Sequence, residues 1–269
     1  MTGQGYGGEK QGVLDPARSL SLHQYLHGID MHSHFFIKQA AMSSTGPFQI
    51  RDTYIRVDTM ADTYARMAEL AFALFLDGAA DPSPLFCPPY DPRGAMDQEE
   101  RKAANGIKTI VFSAMAIEAA VFDLAAIQLG DKVATDYLDK MDLLGKWMIV
   151  PRLICGRSLR EDGPAVNGLR GLVKARNALV HHKSKEWDKG GKAERAMTER
   201  WAKFEKDQVP NAFKTLVLLS LEVDAVLESY LGALPFYGKE VFTDSPRHPQ
   251  VEEIVQRCRE IHQKNWDDS

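Results

Sequence analysis

The sequence predicts an all-α protein: an up-and-down helical bundle of four long helices, with an irregular N-terminal extension and additional short helices. Three observations carry this. Apolar residues recur at three- and four-residue steps over long stretches, the period that gathers them on one face of a helix. Glycine or proline closes several of these stretches, as helix ends require. No alternation of strand-like and helix-like segments is visible, so a parallel sheet is not expected. Helices with apolar stripes must bury them against one another, and long helices joined by turns do so as a bundle.

Residues 1–12 are rich in glycine and read as a tail, neither a secretory signal nor an anchor. The stretch 13–50 is mixed and holds four of the eight histidines. From Tyr54, the residues Val57, Ala61, Tyr64, Ala68, Ala71 and Phe75 form a first helical stripe, and Gly78 stops it. Asp81 to Gly94 contains Pro82, Pro84, Pro88, Pro89 and Pro92, which forbid helix and central strand alike. A second helix is predicted from about Asp97 to Leu129, with Ile107, Ile110, Ala114, Ile117, Val121 and Leu124 inward; its many alanines favour helix and close packing. Gly130 and Asp131 end it and open a shorter helix, roughly Lys132 to Leu144. Gly145 to Gly163 reads as less regular, with room for a short strand around Trp147, Ile149 and Val150.

A third long helix starts after Gly163-Pro164, where proline suits a first turn, and reaches His181 or His182; Gly168 and Gly171 weaken its first half. Lys183 to Ala193 reads as a polar turn. The fourth long element covers about Glu194 to Leu231 and bends near Pro210, with Phe213, Leu216, Val217, Ser220, Val223, Leu227 and Leu231 inward. A last amphipathic helix covers Gln250 to Lys264. The expected organisation is a tail and extension over 1–50, a bundle over 51–235, and a C-terminal segment with a short helix over 236–269.

Composition narrows function. The 269 residues include 44% apolar types, ordinary for a protein with a core, and carry a formal charge of −4. Broad binding to duplex nucleic acid through a strongly basic surface is therefore not advertised, although net charge says nothing about clustering. Cys87, Cys155 and Cys258 are far apart, which gives no zinc spacing and no disulfide framework, so a reducing, cytoplasmic setting fits best. The longest unbroken apolar run, Leu70 to Leu76, is far short of a membrane span.

The segment Arg176-Asn177-Ala178-Leu179-Val180-His181-His182 is where residue types and spacing suggest chemistry. Asn177 and His181 are four apart and share a helix face. Val180 lines up with Val173 and Leu169 towards the core. Arg176 sits ~140° from His181 around the axis; its long side chain can reach around the ridge, and a second copy of the helix, related by a two-fold axis, would also bring the groups together. Attack of an RNA 2′-hydroxyl on its own phosphate needs proton removal, proton delivery to the leaving 5′-oxygen, and stabilisation of a charged phosphorane. Histidine moves protons near neutral pH. Arginine offers a permanent planar charge to phosphate oxygens. Asparagine can hold the histidine or the ribose. This chemistry needs no metal, and no cofactor is expected.

Arg176-Asn177-x3-His181 resembles the motif of the HEPN family, Arg-x(4–6)-His with a polar first x, near the end of the third long helix. His181 and His182 both meet its spacing. Ala116-Ile117-Glu118-Ala119-Ala120, followed by Lys146-Trp147, is also similar to HEPN relatives, and the likeness covers about Tyr54 to Leu231. It implies dimers with a composite cleft and metal-independent endoribonuclease activity, with Arg176, Asn177, His181 and His182 as catalytic candidates. It also implies defence or toxin–antitoxin roles, with RNA as substrate and an antitoxin or regulatory protein as partner. Some members are not nucleases, so a non-catalytic dimerisation module binding RNA, a nucleotide or a protein is the alternative. Glu118 reads first as a salt-bridge partner of Arg176. His23, His27, His32 and His34 suggest a metal hydrolase instead, but the alternating barrel and downstream ligands that such a site needs are not visible.

Overall fold

A computed structural model describes residues 56–78, 98–181, 183, 186, 189–228, 233–238 and 247–267, all within one compact unit, Arg51–Ser269. The protein is all-α, and no strand occurs among the described residues. The helices are α1 (Ala61–Asp77), α2 (Gln98–Leu129), α3 (Leu143–Cys155), α4 (Pro164–Val180), α5 (Lys192–Lys203), α6 (Val209–Leu227) and α7 (Pro249–Asp267). The proline-rich stretch Asp81 to Gly94, Cys87 and the four N-terminal histidines lie outside the described residues.

α1 begins later than its apolar stripe suggested. Val57 is 88% exposed and precedes the helix, so the period there continues past the segment that packs. Ala61, Ala65, Ala68, Ala71, Phe72 and Phe75 form the buried face, and Gly78 ends the helix at φ 61°, a backbone conformation that glycine adopts without a Cβ penalty. α1 lies along α2 in the opposite direction. Tyr64 stacks on Phe112 at one end, and Lys102 sits over the Phe75 ring at the other. α2 buries Ile110, Ala114, Ile117, Val121 and Leu124 as predicted, whereas Ile107 stays partly exposed. By length and composition alone α2 could cross a membrane, but its apolar face is packed against α1, α3, α4 and α6.

The region after α2 departs from the sequence reading. Asp131–Val133 and a wide π turn, Ala134–Leu138, stand where a longer helix was expected. No strand follows: Leu143–Cys155 is helix, started by the Asp142 carboxylate accepting from the Gly145 amide at 2.9 Å and ended by Gly156 at φ 78°. The mixed apolar run there is the buried side of a helix, with Trp147 and Val150 in the core. The Trp147 indole donates to the Ile117 carbonyl at 3.2 Å and ties α3 to the middle of α2.

α4 starts at the predicted Gly163-Pro164 and ends at Val180, just short of the expected His181 or His182. Its two interior glycines weaken the helix intrinsically but permit a close approach to α6. A Cβ on Gly168 would stand 2.5 Å from Thr215 Oγ1, and one on Gly171 would stand 2.9 Å from Asn211 Nδ2. Asn211 uses that proximity to donate to the Gly168 carbonyl at 3.1 Å. Further along, the Arg160 amide donates to Glu222 at 2.6 Å, so α4 and α6 run in opposite directions. The bend expected near Pro210 is a π turn, Phe204–Gln208, joining α5 to α6; Phe204 there packs against Gly106 of α2. The inner face of α6 is as predicted through Val223, and Leu231 lies outside the described residues.

α7 buries Val251, Val255 and Cys258 and is held to α1 by polar contacts: Arg247 pairs with Glu69 at 3.2 Å and Glu252 at 3.2 Å, and His248 Nε2 lies 3.0 Å from the Asp77 carboxylate. Arg259 donates to the Tyr237 carbonyl at 2.7 Å, fastening the 233–238 segment beneath α7.

Two predictions follow from this packing. Gly168→Ala should lower stability by about 1–3 kcal/mol in urea unfolding, because overpacking against Thr215 outweighs the gain of ~1 kcal/mol in helix propensity. A stabilised variant would contradict the close approach. Burial also raises the Asp224 carboxyl on α6 from near 3.8 to about 7. The folded state thus holds its proton more tightly than the unfolded chain, and stability falls as pH rises from about 4 to about 7. The melting-temperature gain of Asp224→Asn over wild type should therefore be smallest near pH 4 and grow towards pH 8.

Candidate functional site

The predicted site residues occupy the last turns of α4. That helix turns its buried side, Ala165, Val166, Leu169, Leu172 and Ala175, to the core. Arg176 stands four residues after Leu172, at the rim of that side. Its stem is half-covered and its guanidinium reaches the surface, the usual compromise for a long cationic side chain. The fork divides between two acceptors: Nη1 donates to Asn177 Oδ1 at 3.3 Å, and Nη2 lies 4.0 Å from Glu118 Oε2 on α2. Glu118 is therefore the ion-pair partner that the sequence suggested, in a loose pair with both side chains close to half exposed.

Asn177 and His181 are exposed on the outer side of α4. The His181 amide donates to the Asn177 carbonyl at 3.0 Å, closing the final turn, and His181 itself is the residue at which the helix ends, φ −100°, ψ 28°. No hydrogen bond or ion pair joins Arg176 to His181 among the described residues; the arginine turns to Asn177 and Glu118 rather than around the ridge. His182 lies outside the described residues.

Val180 is a correction. It was expected to follow Leu169 and Val173 inward, but it is 59% exposed. The inward row runs instead through Leu172 and Ala175 to the half-buried Leu179, and Val180 lies one step round the helix from it. The motif end of α4 therefore offers solvent an apolar side chain next to a histidine.

A surface feature that the sequence did not reveal adjoins Glu118. A groove of about 540 Å³ lies between the residues that lead into α1, the middle of α2, and the start of α3. Tyr64, Met115, Phe122, Asp123, Asp139 and Lys146 are among its walls. Lys146 is almost wholly buried and meets Asp139 at 3.2 Å; Arg56 meets Asp123 at 3.3 Å and Asp131 at 2.8 Å. Burial raises the Asp123 carboxyl, and the Arg56 guanidinium works against that rise. The adjacent Lys146-Trp147 pair was the available signal: the indole locks onto the Ile117 carbonyl, one residue from Glu118, while the ammonium faces the groove. Among the described residues, no group of three or more His, Cys, Asp or Glu side chains is placed to hold a metal ion.

No family model, curated protein or solved structure matches the chain. The geometry above is therefore what bears on function.

The half-exposed Glu118–Arg176 pair should orient the arginine rather than stabilise the fold. Exposed pairs contribute little because water already solvates both charges. A double-mutant cycle with Glu118→Ala and Arg176→Ala in urea unfolding should give a coupling below ~1 kcal/mol. A coupling of several kcal/mol would mean that the pair holds the helices together.

Proposed function

We propose that the protein is a HEPN-type, metal-independent endoribonuclease, built as an up-and-down bundle and acting as a homodimer. The observation that carries the reading is the combination of an arginine loosely held by Glu118 and Asn177 with an exposed Asn177–His181 pair at one helix end. Opposed pairings of α1 with α2 and of α4 with α6 support the bundle. In this reading His181 moves the proton of the RNA 2′-hydroxyl or of the leaving 5′-oxygen, and Arg176 faces the non-bridging phosphate oxygens. Asn177 orients, His182 assists, and Glu118 with Asn177 keeps the guanidinium from swinging freely. Two α4 helices meeting near Val180 would cover that apolar side chain and place the Arg176 of one chain towards the His181 of the other. A cytoplasmic defence or toxin effector, with an antitoxin or regulatory protein as partner, is the setting that suits such an enzyme.

A non-catalytic HEPN dimerisation module is the second reading. It is favoured by one observation: Glu118 and Asn177 already occupy the Arg176 fork, which leaves less of it for phosphate.

His181→Ala should slow RNA cleavage by ~10²–10⁴-fold while leaving the helical circular dichroism and melting temperature nearly unchanged, because His181 is exposed and its loss opens no cavity. Arg176→Ala should also inactivate, and the products should carry 2′,3′-cyclic phosphate ends. Light scattering of the same samples should report a dimer. Full cleavage rates in both variants would reject the assigned residues, and a monomer that still cuts RNA would reject the composite site.

A further inference from the structure

The outer face of α4 beyond the motif carries a pattern that the nuclease reading leaves unused. Arg170, Lys174, Asn177 and His181 follow one another at steps of four, three and four residues. At ~100° per residue they lie within ~60° of one another, so they form a single row. All four are exposed. The row covers about 16 Å of helix at ~1.5 Å per residue. The 17 residues of α4 include no aspartate or glutamate, although the chain as a whole is acidic, with a formal charge of −4.

Charge on a helix surface is usually neutralised by neighbours three or four residues away, and α4 has none of the opposite sign. Arg170 is steadied from the loop before the helix and from within its first turn. Its Nη1 donates to the Glu161 carbonyl and to Asn167 Oδ1, each at 2.9 Å, and its Nη2 lies 3.6 Å from the Glu161 carboxylate. Lys174 makes no ion pair or hydrogen bond among the described residues. It stands one helical turn from Asn177, with its side chain exposed.

We propose that this row is a track for the sugar–phosphate backbone of single-stranded RNA, with Lys174 and Arg170 each taking a phosphate on one side of the bond to be cut. The proposal rests on the reading of Asn177 and His181 as the cleavage site and adds the direction in which the strand leaves it. The cations at 170 and 174 are ~6 Å apart along the axis, a step short enough for neighbouring phosphates of an extended strand. A stretch with two cations and no Phe, Tyr or Trp reads backbone rather than sequence. A straight row on one helix suits a strand that can bend to it, whereas a duplex is recognised across a broader surface than one row of two cations offers.

The test uses the full chain with His181→Ala, so that RNA is held and not consumed. Anisotropy of a fluorescein-labelled oligouridine is titrated at several salt concentrations, with and without Lys174→Gln, Arg170→Gln and, as a control on α7, Lys264→Gln. Lys174→Gln should weaken binding several-fold and reduce the slope of log affinity against log salt by about 0.7, the value for one lost phosphate contact on a single strand. Arg170→Gln should do the same, Lys264→Gln should do neither, and a duplex of the same length should bind more weakly. Unchanged affinity and slope in Lys174→Gln would overturn the track. If His181→Ala abolishes cleavage while Lys174→Gln leaves binding untouched, the track is wrong and the nuclease reading stands. If RNA binds through Lys174 but the unmutated protein never cuts it, the track stands and the nuclease reading is wrong. Binding of anionic vesicles that is lost in Lys174→Gln, without any RNA binding, overturns both.

Discussion

The need to cover α2 on several sides shapes the rest of this protein. Ile110, Ala114, Ile117, Val121 and Leu124 give it one inward stripe, but Ala116, Ala120, Ala125 and Ala126 are buried as well, so the apolar surface wraps most of the way round. One partner helix cannot shield that circumference. α1, α3, α4 and α6 all pack against it, and the indole of Trp147 reaches the Ile117 carbonyl because α3 must lie close. Small side chains on α2 make the approach short, which strengthens dispersion contacts and excludes water. Glu118 occupies a sector left open, and that is why the acidic partner of Arg176 has a defined position at all.

A second constraint acts between α4 and α6. Glycine costs helix stability, yet Gly168 and Gly171 stand in the middle of α4. Their value is tertiary: they let Thr215 and Asn211 come within contact of the α4 backbone. Once that spacing is set, the rotation of α4 about its own axis is set too. Leu169, Leu172 and Ala175 point inward, Arg176 reaches the rim beside Glu118, and Lys174, Asn177 and His181 face water. The site is thus a consequence of how tightly two helices pack some distance away from it.

Charge is used differently in different parts of the molecule. Around α7, partly buried contacts fasten the C-terminal helix to the core: Arg247 lies over Tyr237 and bridges Glu69 on α1 to Glu252 on α7, and Arg259 donates to the Tyr237 carbonyl. Around α4, charges are exposed and, among the described residues, only loosely paired where they are paired at all. The first arrangement suits a structural clamp, since desolvated ions need fixed partners. The second suits contact with something outside the chain, since cations without strong internal partners keep their donors free.

Periodicity and chain-stopping residues together determined the all-α class, the start of α4, the inward face of α6 and the end of α1 at Gly78, because helix formation by an amphipathic segment is a local matter of spacing, propensity and chain-stopping residues. The motif residues were legible for the same reason: four-residue steps say which side chains share a face. Tertiary packing decided the rest. It put the boundary of α1 after Val57, which has the right period but nothing to pack on. It made a helix of Leu143–Cys155, where a mixed apolar run had equally allowed a strand, because Asp142 caps it and Trp147 has a partner only on α2. It turned Val180 outward by ending the inward row at Leu179. It also brought Glu118 to Arg176 and opened the groove beside them, which join residues nearly sixty positions or more apart in some cases and so depend on contacts that no local pattern records.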